Sequence, residues 1–83
     1  MYQPEFDYWQ VQRWENQQSR RYYEARLLKN LFGDWEVCCS WGGIGAKSGN
    51  TKVFPADSRD AAYTIYQAIH VRRLQRHYYP VKA

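Results

Sequence analysis

The segment that most constrains this chain runs from Trp35 to Gly45. Its alternate residues Trp35, Val37, Cys39 and Trp41 form an apolar file, and Gly42-Gly43-Ile44-Gly45 follow at once. Successive side chains of extended backbone point to opposite sides, so this alternation predicts a strand beginning at Trp35 with one buried face. Glu36, Cys38 and Ser40 make the more polar file. Glycines at the end of such a strand allow backbone conformations barred to other residues, or close approach to a partner. The segment Gly42 to Asn50, with four glycines, therefore predicts a tight turn rather than a continuing strand.

The same reasoning places the other elements. Trp9 and Val11 alternate with Gln10 and Gln12, which predicts a strand from Phe6 to Trp14, followed by a polar turn from Glu15 to Ser19. A second strand is predicted from about Arg20 to Leu31, with Tyr23, Ala25 and Leu27 as its core face. Asn30 to Asp34 reads as a hairpin connection, in which Gly33 takes a positive φ and Asp34 bonds its own backbone. Thr51 to Phe54 forms a short fourth strand, and Pro55 is expected to end it. Asp57 or Ser58 can cap a helix running to about His77, whose stripe Ala62, Ile65, Tyr66 and Ile69 continues into Arg73 and Arg76. Val71, Leu74 and Tyr78 lie on another side, expected to meet the first strand or the tail Tyr79-Pro80-Val81.

At 83 residues, 45% hydrophobic and 18% aromatic, the chain supports one compact domain, taken as residues 1–83. No stretch approaches the roughly 20 apolar residues of a membrane span, and Glu5, Asp7 and Glu15 stand where a signal peptide would be basic and then apolar. Cys38 and Cys39 are adjacent, so on a strand they face opposite ways and a bridge between them would be strained. These features point to a soluble, cytoplasmic monomer in a reducing compartment, with no membrane contact.

Charge divides the chain. Residues 1–46 hold five basic and six acidic side chains, net −1, whereas residues 47–83 hold seven basic and two acidic ones, net +5. A basic half of this kind suits an anionic partner such as nucleic acid. Catalytic signatures are weak. His70 and His77 have no acidic partner within a turn of both, and Asp57 and Asp60 fall where a helix start favours carboxylates. No metal-ligand spacing occurs, so no catalytic residue, cofactor, metal or small-molecule substrate is expected.

The unusual constellation is Trp41 followed by its glycines, with Lys47, Ser48, Asn50 and Lys52 just beyond. Free amides in such a turn can form an anion nest, and these side chains can hold phosphate oxygens. The same residues also suit a plain glycine loop capped by a core tryptophan.

The runs Tyr22-Tyr23-Glu24-Ala25-Arg26-Leu27-Leu28, Trp35-Glu36-Val37, Trp41-Gly42-Gly43-Ile44-Gly45 and Gly49-Asn50-Thr51-Lys52, with a helix ending at His77-Tyr78, resemble the WGR domain. That module occurs in poly(ADP-ribose) polymerases and in small bacterial proteins, and the resemblance covers roughly residues 6–79. It implies an α+β fold, an antiparallel sheet of about four strands with one long C-terminal helix packed on it. It also implies a non-catalytic module that binds DNA near ends or breaks and contacts neighbouring domains. The family's signature Trp and Gly fall on Trp41 and Gly42, but its Arg falls on Gly43, which removes a forked cationic donor. Gly49-Asn50 stands where many members have Gly-Gln, and His77-Tyr78 where bacterial members often have Gly-Tyr.

The residues expected to carry nucleic-acid binding are Trp41, Gly42, Gly43, Lys47, Asn50, Lys52, Arg72, Arg73 and Arg76. The competing expectation is a protein-interaction module that docks a larger protein through its aromatic surface and binds no nucleic acid.

Overall fold

The computed structural model describes the backbone of residues 7–82 and the side chains of residues 10–82. The predicted start at Phe6 and the side chain of Trp9 therefore lie outside the described residues. Five strands and one helix follow in the order β1 (Asp7–Asn16), β2 (Arg21–Lys29), β3 (Trp35–Gly43), β4 (Asn50–Ala56), α1 (Arg59–Gln75) and β5 (Tyr79–Val81). The strands make one antiparallel sheet in the order β4-β3-β2-β1-β5. Because β4 lies at one edge and β5 at the other, the intervening helix has to cross the sheet. The class is α+β, as expected.

Register fixes the faces. Ala25 pairs with Cys39 and Gln12, and Leu27 with Val37 and Gln10, so the predicted core files of β2 and β3 lie side by side. Trp14, Ala25, Leu27, Val37, Cys39, Ala62 and Tyr66 form the buried cluster between sheet and helix, with Tyr23, Trp35, Trp41, Phe54, Ile65 and Ile69 at its margin. Ala25 and Ala62 are both fully buried, and their short side chains let the two layers approach closely.

Several expectations are corrected. In the described part of β1 the core-facing file is Gln10, Gln12 and Trp14, and Val11 lies on the other face. Val11 is 43% exposed on the outer face, while Trp14 is completely buried. The alternation from Gln10 to Trp14 is regular, and Trp14 shares its parity with the two glutamines, so burial of that large ring sets the face rather than Val11. β1 also continues through Glu15 and Asn16, leaving Gln17 to Arg20 as the turn. Pro55 does not end β4, which runs to Ala56 with Pro55 opposite Glu36. An edge strand tolerates the missing N–H. The tail is itself a strand, Tyr79–Val81 pairing with Arg13–Glu15 of β1.

Local chemistry explains the ends of the elements. In the β2–β3 hairpin the backbone is held by Asn30 rather than Asp34: its Oδ1 accepts from the amides of Phe32 at 2.9 Å and Asp34 at 3.0 Å. Gly33 supplies the positive φ of 84°. Ser58 is the helix N-cap, accepting from the Ala61 amide at 3.0 Å. At the other end Arg76 is the C-cap, and His77 takes the left-handed conformation at φ 66°. The Tyr78 amide then donates to Arg73 and the His77 amide to Leu74, a Schellman closure usually built on glycine.

Candidate functional site

β3 ends on Trp41, Gly42 and Gly43, and the chain reverses through Ile44 and Gly45. The Ala46 amide donates to the Gly43 carbonyl at 3.0 Å, and Gly45 sits at φ 82°, the third position of a type II turn. The Ile44 amide donates to the Arg20 carbonyl at 2.9 Å, tying this turn to the β1–β2 connection. That connection is itself ordered by Asn16, whose Oδ1 accepts from the amides of Gln18 and Ser19, both at 3.0 Å. Two amides that an anion nest would use, those of Ile44 and Ala46, are thus engaged by protein carbonyls. Neither amide is left for an anion.

The glycines divide by what surrounds them. A Cβ on Gly49 would stand 2.5 Å from the Trp41 carbonyl oxygen and 3.1 Å from the Tyr22 hydroxyl. On Gly42, which is buried, it would stand 3.3 Å from the Gly49 Cα. These two positions pack backbone on backbone, so the loop lies flat against the strand that it leaves. Gly43 is different: its nearest neighbour would be the Ala46 Cβ at 3.7 Å, ordinary contact. The position where the family places its signature arginine has room for a side chain.

Beside the turn lies an aromatic and cationic stack. Trp41 stacks on its cross-strand partner Tyr23 with ring centroids 5.7 Å apart and planes 10° from parallel. The Arg73 guanidinium lies 4.2 Å from the Tyr23 centroid and 5.0 Å from that of Tyr78. Arg73 is half-buried, and its Nε is enclosed without a hydrogen-bond partner. Trp41 therefore serves both as a margin of the core and as part of a surface. Tyr23 and Phe54, with Ile65, Ala68, Ile69, Arg72 and Arg73 from α1, line an open groove of about 460 Å³ between helix and β4. Lys52, on β4, holds its Nζ 5.0 Å from the Phe54 ring.

The structure thus links Trp41, Lys52, Arg72 and Arg73 through Tyr23 and Phe54. Asn50 pairs with Trp41 at the first position of β4, and Lys47 is exposed in the loop just before it. Arg76, the helix C-cap, is tied to the end of β1 by an Asn16 side-chain bond to its carbonyl at 3.3 Å. Sequence reading assigned Tyr23 to the core and gave Phe54 no part in the site. Their roles follow from cross-strand register, which no local pattern displays.

Charge pairing separates two populations of basic residues. On the outer face of the sheet Arg13 pairs with Glu15 at 2.9 Å and reaches Glu24 at 3.8 Å, and Arg26 pairs with Glu24 at 2.8 Å. Among the described residues no carboxylate pairs with Lys47, Lys52, Arg72, Arg73 or Arg76. The outer face is self-neutralised, and the helix end keeps its positive charge. Arg72 and Arg73 also stand in the last helical turn, where the carbonyl end of the helix favours cations.

Neither cysteine is poised as a nucleophile. Burial pushes the Cys38 thiol up to about 11, helped by its hydrogen bond to the Glu36 carboxylate at 3.2 Å. Burial likewise raises Cys39, and it raises Tyr23, which is hydrogen-bonded to Cys39. Both thiols are free and occupy opposite faces of β3. His70 packs against Trp14, with centroids 5.8 Å apart, rather than standing in solvent. Among the described residues no group of His, Cys, Asp and Glu could hold a metal ion, and no helix is long and apolar enough to cross a membrane.

The family model described as the WGR domain matches residues 6–83. No curated protein and no solved structure matches the chain.

Proposed function

The chain belongs to the WGR domain family, and from that premise we propose that it is a non-catalytic module that binds nucleic acid. Contact is made at the end of the sheet where the Trp41 turn, the start of β4 and the last turn of α1 meet. The observation that carries this reading is the unneutralised charge of Lys47, Lys52, Arg72, Arg73 and Arg76, against the paired arginines of the outer face. These five cations hold phosphates, and Asn50 adds a neutral donor. Gly42 and Gly43 keep the backbone low beside Trp41, whose accessible edge meets a sugar or base. Without the family's arginine, affinity depends on the helix and β4 cations.

The test is fluorescence anisotropy with blunt, nicked and 5′-phosphorylated single-stranded DNA at two salt concentrations. Each phosphate neutralised should contribute about −0.9 to the log–log salt slope on duplex and about −0.7 on single strands. Arg72→Gln should shallow that slope by about one such unit, while Arg26→Gln, on the self-neutralised face, should leave it unchanged. Binding that is flat in salt, or equally sensitive to both substitutions, would remove the basis for this assignment.

A further inference from the structure

We propose that the groove between α1 and β4 holds an extended segment of another protein, laid beside β4 as an added strand. One apolar side chain sits on the groove floor, and carboxylates meet its cationic rim. The groove shares Lys52, Arg72 and Arg73 with the proposed nucleic-acid contact, but its aliphatic wall and the free edge of β4 lie outside that contact, so peptide binding is testable apart from nucleic-acid binding.

Three observations converge on that occupant. Among the described residues β4 is an edge strand with no ladder partner on one side of its backbone, and Thr51, Lys52 and Val53 along it are exposed. An exposed strand edge is a template for an incoming peptide backbone. Next to that edge, Ile65 and Ile69 are incompletely covered and Ala68 is exposed, giving an aliphatic wall opposite Phe54. The rim supplies the Arg72 and Arg73 guanidiniums and, from β4, the Lys52 ammonium, and among the described residues no carboxylate lines the groove. The complement is a chain with an apolar residue at one position and Asp or Glu two residues away, because alternate residues of a strand share a face.

A nucleic-acid strand fits less well. Tyr23, the larger ring of the floor, is already engaged by Trp41 and by the Arg73 guanidinium, so no base can stack on it freely. The remaining wall is aliphatic, and a sugar–phosphate backbone cannot continue a β ladder.

The probe is a fluorescein-labelled peptide Asp-Thr-Leu-Thr-Phe-Thr-Asp, which carries Asp, Leu, Phe and Asp on one face in either strand direction, titrated into the full chain. Amide shifts in NMR should fall on residues 50–56 and 65–73. Exchanging Asp for Lys in the peptide should weaken binding about tenfold or more. Ala68→Gln puts a long neutral side chain into the groove at an exposed helical position without changing charge. It should weaken the peptide about tenfold while leaving oligonucleotide affinity unchanged. Arg72→Gln, also at an exposed position, gives a second reading, and it too should weaken the peptide.

The absence of binding up to about 1 mM peptide, a range equivalent to roughly −4 kcal/mol, overturns the proposal. Equal affinity for the Lys peptide does so too, as does indifference to Ala68→Gln in a chain that melts like the parent. Loss of oligonucleotide affinity in Ala68→Gln assigns the groove to nucleic acid instead. A concentration-dependent dimer in sedimentation that Ala68→Gln abolishes assigns it to a second copy. Peptide binding without any oligonucleotide binding sustains this proposal while refuting the nucleic-acid reading.

Discussion

Replacing Gly49 with alanine tests whether the loop after β3 is held by backbone-on-backbone packing. The new Cβ would stand 2.5 Å from the Trp41 carbonyl oxygen, whereas real side-chain carbons essentially never come within 3.0 Å of another heavy atom. The deficit is at least 0.5 Å, the difference of those two distances. The carbonyl belongs to a strand hydrogen-bonded on both sides, so relief has to come from lifting the loop. Lifting it strains the Ile44 to Arg20 hydrogen bond or the first pair of β4, Asn50 with Trp41. Overpacking costs about 1–3 kcal/mol and a weakened backbone bond about 0.5–1.5 kcal/mol. The lower unfolded-state entropy of alanine returns about 0.5 kcal/mol. The net expectation is a destabilisation of about 1–4 kcal/mol, and its midpoint of about 2.5 kcal/mol corresponds to about 10–20 °C in Tm for a chain of this size.

Gly43→Ala is the internal control. Its Cβ meets nothing closer than 3.7 Å, and its φ is not positive, so the substitution should be neutral or stabilise by about 0.5 kcal/mol. Urea unfolding followed by tryptophan fluorescence and far-ultraviolet circular dichroism measures both. A Gly49→Ala variant within about 0.5 kcal/mol of the parent would refute the packing argument, because variation of that size is ordinary for a surface site. Gly43→Ala costing more than Gly49→Ala would refute it equally.

Gly43→Arg should fold as stably as the parent and bind DNA several-fold more tightly, steepening the log–log salt slope by about one phosphate; anisotropy reads the change. His77→Gly should stabilise the domain by about 0.5–1 kcal/mol in urea unfolding, since the left-handed conformation at φ 66° penalises a Cβ more than glycine's extra chain entropy costs. Ser58→Ala should cost about 1 kcal/mol by loss of the bond to the Ala61 amide, and Asp57 should not replace it. For Cys38 the folded pKa, about 11, lies above the ordinary 9.0, so its contribution to stability is complete below pH 9 and is lost as pH rises toward 11. Stability measured across that window should fall, and Cys38→Ala should flatten the fall.

What could be read from residues alone was what local periodicity encodes. The β3 file and the β2 core face alternate without interruption, so their buried sides were plain. The helix stripe through Ala62, Ile65, Tyr66 and Ile69 was equally legible, and its continuation to Arg73 did pack, with the guanidinium over tyrosine rings. In β1 local alternation set Val11 apart from Gln10 and Gln12 but could not say which file is buried, and it is Trp14, of the same parity as the glutamines, that enters the core. β5 has three residues and a proline, too little for any periodicity, and exists because it finds β1. Leu28, on the file opposite the predicted core, is only 5% exposed, so burial in this sheet is not confined to the helix side. Nothing local separates Gly42 and Gly49, closed by backbone, from Gly43, which is open. That distinction belongs to tertiary contact.

The two borders of the sheet are not equivalent, and this bears on how the domain behaves in a crowded cell. β5 presents three residues with Pro80 at their centre, too short and too broken a row of donors to template another strand. β4 keeps its row along Asn50 to Phe54 before Pro55 interrupts it. A sheet open along one border can pair off but cannot propagate: two copies meeting β4 to β4 close on each other and leave no border from which a fibril could grow.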